Sequence, residues 1–349
     1  MNIKLFANLI ACVTTATVFA GAANAQDMPL STLLIDGEGW QLVADNLQFA
    51  DGPCADDQGN FYFAEMRSTP PVVWKISANG QKAKLIEGTP CSGLKFGPDR
   101  RLYACVGKDK QLVAFDLPGG KKTVIAEDVQ PNDLVVTHRG HVYFTETGKK
   151  QVSFVDSKTG AKKTVYTAPM PAPPADGAAK KKSAPAPYDP TIINAPNGIT
   201  LSPDGDTLAV SDVRGLHVWT FRVEADGSLT AASPCMTMQT PVDPDAKSPD
   251  GRTPVYKTAS GGDGMTSDEQ GRYYVATALG VQVFDPTGRL CGVLPNPGDK
   301  NMTSVGFGGP NLEFMYVTCG DKIFRRKVQA KGNLYHLPPA KPAPAAKKK

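Results

Sequence analysis

Six short phrases in this chain each open on a small oxygen-bearing side chain. They are Asp51 in DGPCADDQGNFYFAE, Ser92 in SGLKFGPDRRLYACV, Asn132 in NDLVVTHRGHVYFTE, Asn197 in NGITLSPDGDTLAVSD, Asp263 in DGMTSDEQGRYYVAT and Thr303 in TSVGFGGPNLEFMYVT. Carboxylates, amides and hydroxyls without His or Cys form the donor set of a hard cation, Ca²⁺ first, with Mg²⁺ or Mn²⁺ as the other candidates. Asp-Gly and Asn-Gly are also ordinary turn formers. The turns inside the phrases fall later, however, at DDQG, SPDG and DEQG, so the first positions carry no obvious turn duty. His138, His141, His217 and His336 show no ligand spacing and no Cys-x-x-Cys pair exists, which disfavours zinc. A Gly-x-Ser-x-Gly elbow, a P-loop and a Gly-x-Gly-x-x-Gly loop are all missing, which argues against serine nucleophiles and nucleotide sites.

Oxygen donors so far apart in sequence can share one ion only if the fold gathers them. Successive openings are separated by 41, 40, 65, 66 and 40 residues, so the base period is near 40, and the two long intervals contain loop-rich excursions. Within a period four short extended runs follow one another, as in GPCADD, NFYFAEM, VVWKISA and KAKLIEG, with Gly, Pro or Asp-rich breaks between them. Helical periodicity is absent. A four-stranded meander cannot bury both faces alone, and a radial stack of such units is a β-propeller. The spacing therefore predicts an all-β, six-bladed propeller of four-stranded antiparallel blades. GWQLVADNLQFADG, ahead of the first copy, matches the fourth strand KKTVIAEDVQPND by setting Leu42, Val43 and Ala44 against Val124, Ile125 and Ala126. The N-terminal strand is thus expected to complete the last blade and close the ring without an open edge. In that ring Asp51, Ser92, Asn132, Asn197, Asp263 and Thr303 start the innermost strands and point to one mouth of the channel.

Composition bounds the rest. A hydrophobic fraction of 41% with 34 Gly and 30 Pro suits a turn-rich globular protein and excludes fibrous and membrane classes. Lysines and arginines are dispersed outside two Pro/Ala/Lys stretches, so no nucleic-acid face is expected. Residues 1–25 read as an export signal: Lys4, the apolar run LFANLIACVTTATVFAGAA, and Ala23-Asn24-Ala25 as the cleavage site before Gln26. That apolar run is too short, and ends too softly, for a transmembrane segment. Export implies a periplasmic or extracellular location, where Cys54, Cys91, Cys105, Cys235, Cys291 and Cys319 are free to form disulfides or to remain buried thiols. The propeller is expected over 26–336, with a low-complexity surface insertion at 168–190 and a disordered tail at 337–349.

FADGPCADDQGNFYFAE, QPNDLVVTHRGHVYF, APNGITLSPDGDTLAVSD, DGMTSDEQGRYYVATALGVQVFDPTGRLCGVLP and TSVGFGGPNLEFMYVTCGDKIFR together resemble the SMP-30/gluconolactonase family over roughly residues 45–327. The resemblance implies a six-bladed propeller with a divalent ion, usually calcium, at the channel mouth. Asp51, Asn197 and Asp263 stand where the family's metal ligands do, and Asn132 where its substrate-facing Asn does. Two positions depart from the family: Asp51 replaces a Glu, shortening the ligand by a methylene, and Gln130 replaces an Arg that holds sugar-acid substrates. The activity implied is hydrolysis of a small lactone or sugar-acid lactone, with a cation polarising the carbonyl, Asp263 taking a proton from water, and Asn132 and Gln130 orienting the ring. The alternative is a non-catalytic ligand-binding propeller stapled by its metal. A quinone-dependent dehydrogenase would need a basic, His-containing channel floor, which the sequence does not announce. Oligomeric state is not readable from the sequence.

Overall fold

The structure, a computed structural model, describes residues 28–169 and 189–338. The export signal read at 1–25, nearly all of the insertion and all but two residues of the tail lie outside them. Within the described residues the repeat is realised as six four-stranded antiparallel sheets. The innermost strands are Ala50–Ala55, Leu94–Phe96, Leu134–Val136, Pro196–Leu201, Met265–Ser267 and Ser304–Gly308, one for each of blades 1 to 6. In blade 1 the remaining strands are Phe61–Glu65, Val72–Ile76 and Lys82–Glu87.

Every residue of Phe61–Glu65 is buried, because a propeller sheet is covered on both faces by its neighbours and its second strand sees no solvent. The outermost strand Lys82–Glu87, by contrast, is largely exposed. The same gradient recurs around the ring and explains why the second-strand sequences FYFAE, LYACV, VYFTE and YYVAT open on runs of apolar residues rather than alternating, with polar residues only at their ends. In three blades an Asp of the turn before this strand also takes a tyrosine hydroxyl from within it. Tyr62 donates to Asp56 at 2.8 Å, Tyr103 to Asp99 at 2.9 Å and Tyr274 to Asp268 at 2.8 Å. One carboxylate thus fixes both the turn and the register of the strand leaving it.

Blade 6 closes as its sequence implies. Ser304–Gly308, Phe314–Cys319 and Lys322–Lys327 are joined by the N-terminal strand Gln41–Ala44, with Gln41 opposite Arg325 and Leu42 opposite Phe324. The seam between blades 6 and 1 is filled by Phe61 stacked on Tyr316, ring centroids 4.0 Å apart. Beyond Lys327 the chain turns back across the far end of the channel. Val328 bridges to Leu34 and Gly332 to Asp268, the Tyr335 hydroxyl accepts the Ser267 N–H at 2.7 Å, and the His336 ring lies 6.2 Å from that of Phe96. This segment plugs the channel at the end opposite the first positions of the six phrases.

Among the described residues no disulfide is formed: Cys54, Cys91, Cys105, Cys235, Cys291 and Cys319 are all free thiols. Cys54, Cys91, Cys105 and Cys319 serve as small apolar core residues, and burial pushes the Cys54 and Cys91 thiols up to about 12. Because Phe61 is fully buried and spans the closing seam, Phe61→Ala is expected to cost roughly 3–5 kcal/mol in reversible denaturant unfolding. A loss below about 1 kcal/mol would show that this contact does not hold the ring together.

Candidate functional site

The first positions converge. Asp51, Ser92, Asn132, Asn197 and Asp263 line one cavity of about 200 Å³ at the channel mouth, together with Asp133 and Ser304. Thr303 does not face it. Its hydroxyl turns into the wall, donating to the Ala50 carbonyl at 2.8 Å and pairing with the Thr318 hydroxyl at 2.6 Å, and the next residue, Ser304, takes the channel-facing place. Gln130 stands outside the cavity on the exposed approach, two residues ahead of Asn132, with its backbone N–H bonded to Glu146.

The glycines that follow the first positions explain how six strands approach so closely. A β-carbon on Gly52 would lie 2.1 Å from the Ser92 carbonyl oxygen, and one on Gly198 would lie 2.3 Å from that of Asp263. Gly52 also has φ near 60°, which disfavours any side chain there. Gly93 and Gly264 make room for the two side chains that do occupy a second position, since their β-carbons would fall 2.7 Å from Asp133 Oδ1 and 1.9 Å from Ser304 Oγ. The Asp-Gly and Asn-Gly pairs are therefore close-approach signals rather than turns.

Hydroxyls then tie blades together at four of the six junctions at the level of the site. Ser92 donates to the Asn132 carbonyl at 2.6 Å, Thr145 to the Asn197 carbonyl at 2.5 Å and Ser211 to the Asp263 carbonyl at 2.8 Å. With Thr303 on Ala50, these clasps fix the backbone from which the polar side chains project. Buried carboxylates at the ends of three second strands brace the segments entering the site. Glu65 accepts the Gln48 N–H at 2.8 Å, Glu146 accepts that of Gln130 at 2.7 Å, and Asp212 accepts those of Asn194 and Ala195 at 2.7 and 2.9 Å. Burial alone would raise Glu146, but Lys149, the Gln130 N–H, Gln151 and Ser153 outweigh it and leave its carboxyl below the usual range.

The electrostatics are unfavourable without added positive charge. Burial pushes Asp51 up to about 7, with the Gly52 N–H opposing and Asp133 adding to the rise. Burial, then Asp51 and Asp133, lifts Asp263 well above the carboxylate range, against the Gly264 N–H and an Asn197 side-chain hydrogen bond. Asp133 is also raised by burial, partly offset by Lys95 and by the N–H groups of Leu134 and Ile199. Its oxygens accept those two N–H groups at 2.8 and 3.3 Å, which turns it into the wall. Among the described residues no three ionisable side chains form a preassembled metal group. The facing set is two carboxylates, Asp51 and Asp263, with the Asn197 amide, all oxygen donors and all short of positive charge. That chemistry fits a hard divalent cation.

Asp133 and Ser304 are second positions, adjoining Asn132 and Thr303, so the phase of the repeat that marks the first positions does not mark them. A basic, His-containing lower channel, not expected from the sequence, is also present: Lys95 and His336 line a second cavity of about 450 Å³ beneath the site. The pH response follows from the raised carboxyls. In the unfolded chain Asp51 ionises near 4, whereas in the folded, metal-stripped protein it keeps its proton to about 7, so stability is lost as pH rises between those values. In chelator, the melting temperature of the wild type relative to Asp51→Asn is expected to fall from pH 4.5 to pH 7.5. Parallel curves would show that Asp51 is not strained by its surroundings.

No curated protein matches this chain. Several solved structures share the fold. A gluconolactonase from Xanthomonas campestris is 19% identical with a TM-score of 0.65, covering 86% of this chain and 92% of its own. Regucalcin from Agrobacterium tumefaciens, a calcium-binding protein, is 17% identical with a TM-score of 0.64, covering 86% and 97%. A luciferin-regenerating enzyme is 16% identical with a TM-score of 0.63, covering 86% and 99%. At these identities the likeness establishes the propeller and nothing finer. The family model described as SMP-30/Gluconolactonase/LRE-like region, however, matches residues 49–321, which include blades 1 to 5, the two inner strands of blade 6 and every residue lining the cavity, and the chain belongs to that family.

Proposed function

We propose that this protein is an exported lactone hydrolase that works with a divalent cation at the channel mouth. The observation that carries the reading is the meeting of Asp51, Asn197 and Asp263 with Asn132 in one cavity of a family propeller. Asp51, Asn197 and Asp263 would hold the ion, Ca²⁺ first, with Mg²⁺ or Mn²⁺ as alternatives. When bound it supplies Lewis-acid polarisation of the lactone carbonyl. Burial and then Asp51 raise the Asp263 carboxyl, so positive charge nearby favours its ionised form. As a carboxylate it takes a proton from water as the water oxygen bonds to the carbonyl carbon. It returns that proton to the ring oxygen as the acyl C–O bond breaks. The Asn197 amide, hydrogen-bonded to Asp263, holds that carboxylate in orientation. Asn132 offers an amide to the substrate inside the cavity, and Gln130 offers one on the approach.

The same geometry limits the substrate. The space between Asp51, Asn132, Asn197 and Asp263 is narrow, so the lactone ring would sit across the mouth. Gln130, a neutral amide where many family members carry Arg, favours neutral lactones over acidic ones. The small cavity and the neutral Gln130 also favour the second reading, a propeller that binds its ligand without turning it over.

An aldonolactone panel assayed with and without chelator separates the two. Chelator-sensitive hydrolysis is expected, with Asp263→Asn at least about 10²-fold slower while its melting curve persists. Full activity in Asp263→Asn would overturn the proton-transfer role. Cation binding without turnover of any lactone would establish the binder.

A further inference from the structure

The second strands of blades 1 to 6 end on Glu65, Val106, Glu146, Asp212, Thr277 and Cys319. Carboxylates stand at this position in blades 1, 3 and 4 alone. All three are buried, a placement that destabilises the fold unless the oxygens are hydrogen-bonded. Glu65 Oε1 accepts the Gln48 N–H at 2.8 Å, and its Oε2 accepts the Trp74 indole N–H at 2.7 Å. Glu146 Oε1 accepts the Gln130 N–H at 2.7 Å, and its Oε2 takes Gln151 and Ser153 at 2.6 and 2.7 Å. Asp212 accepts the N–H groups of Asn194, Ala195 and Arg214 at 2.7, 2.9 and 3.1 Å.

The latched residues share a place in the chain. Gln48 lies three residues ahead of Asp51, Gln130 two ahead of Asn132, and Asn194 and Ala195 three and two ahead of Asn197. All four lie outside the strands, on the segments that lead into the inner strands, so their N–H groups have no ladder partner and a carboxylate supplies one. A device required only to close the ring would recur in all six blades. Blades 2 and 6 lack it, and the hydroxyls of their first positions, Ser92 and Thr303, are turned to backbone carbonyls of the neighbouring blade. In blade 5 Thr277 bonds within its own turn, to the Gly280 carbonyl. The approach to Asp263 is held instead by Ser260, whose Oγ accepts the Gly262 N–H at 3.1 Å and donates to the Gly215 carbonyl at 3.1 Å.

We propose that Glu65, Glu146 and Asp212 are positioning residues with divided duties: Glu65 and Asp212 set the backbone that presents Asp51 and Asn197 to the ion, and Glu146 sets the backbone that presents Gln130 and Asn132 to the substrate. This rests on the ion and substrate assignments above and adds to them the residues that aim each group.

The test reads two quantities on full-length variants: the Ca²⁺ dissociation constant by calorimetry, and KM for an aldonolactone at saturating Ca²⁺. Glu65→Met and Asp212→Ala are expected to bind Ca²⁺ about tenfold more weakly than wild type, whereas Glu146→Met keeps Ca²⁺ affinity within about twofold and raises KM about tenfold. Glu65→Gln, Asp212→Asn and Glu146→Gln retain one accepting oxygen and are expected to show the same split with smaller factors, which keeps the comparison available where a latchless variant does not fold. A merely structural role would lower the stability of all three without dividing Ca²⁺ affinity from KM. Equal Ca²⁺ losses in the three, unchanged Ca²⁺ affinity in the Glu65 and Asp212 variants, or unchanged KM in the Glu146 variants would overturn the division of duties and leave the ion reading standing. Lactone turnover by a wild type that binds no Ca²⁺ would overturn the ion reading and the duties of Glu65 and Asp212, while KM in the Glu146 variants would still decide that of Glu146.

Discussion

Three carboxylates that repel one another, Asp51, Asp133 and Asp263, are held around one small cavity by a closed ring of β-sheets. No local segment could enforce that arrangement, because the residues come from blades 1, 3 and 5. The ring enforces it. Six sheets stack without a free edge, Gln41–Ala44 completes blade 6, and Phe61 on Tyr316 fills the seam. Hydroxyl clasps between blades then fix the carbonyls of the residues that face the axis. The cost of gathering like charges is met by burial of apolar surface elsewhere in the blades, where second strands are covered on both faces.

That separation of labour between wall and mouth shows in the chemistry of each layer. The blade interiors are apolar and closely packed, with four thiols used as filler. The axis is polar and tight, and glycine is what makes it tight: Gly52 and Gly198 permit an approach that any side chain would block. Beneath the axis the returning C-terminal segment seals the channel, so the site opens on one side only. A substrate and an ion must therefore share one entrance.

Much of this was legible in the sequence. The 40-residue period, the four extended runs per period and the match of Leu42-Val43-Ala44 to Val124-Ile125-Ala126 specify six blades and their closure, because they reflect strand pairing that repeats locally. Asp51, Asn197, Asp263 and Asn132 were placed by their phase within the repeat. What escaped was the part set by neighbours across the ring. Thr303 has the right phase but finds hydroxyl and carbonyl partners in the wall, so the channel position passes to Ser304. Asp133 joins the carboxylate layer because Gly93 on the next blade leaves space for it. Lys95 in the lower channel and the plug from Asn333 to His336 depend on contacts spanning the whole chain, which no local pattern announces.

The account turns on one ion bound by oxygen ligands from three blades. Crystals of the wild-type protein soaked in Mn²⁺ and measured for anomalous scattering test this most directly. A single strong peak between the side-chain oxygens of Asp51, Asn197 and Asp263 is the result expected. An empty cavity at saturating Mn²⁺, or a peak on other residues alone, would contradict it.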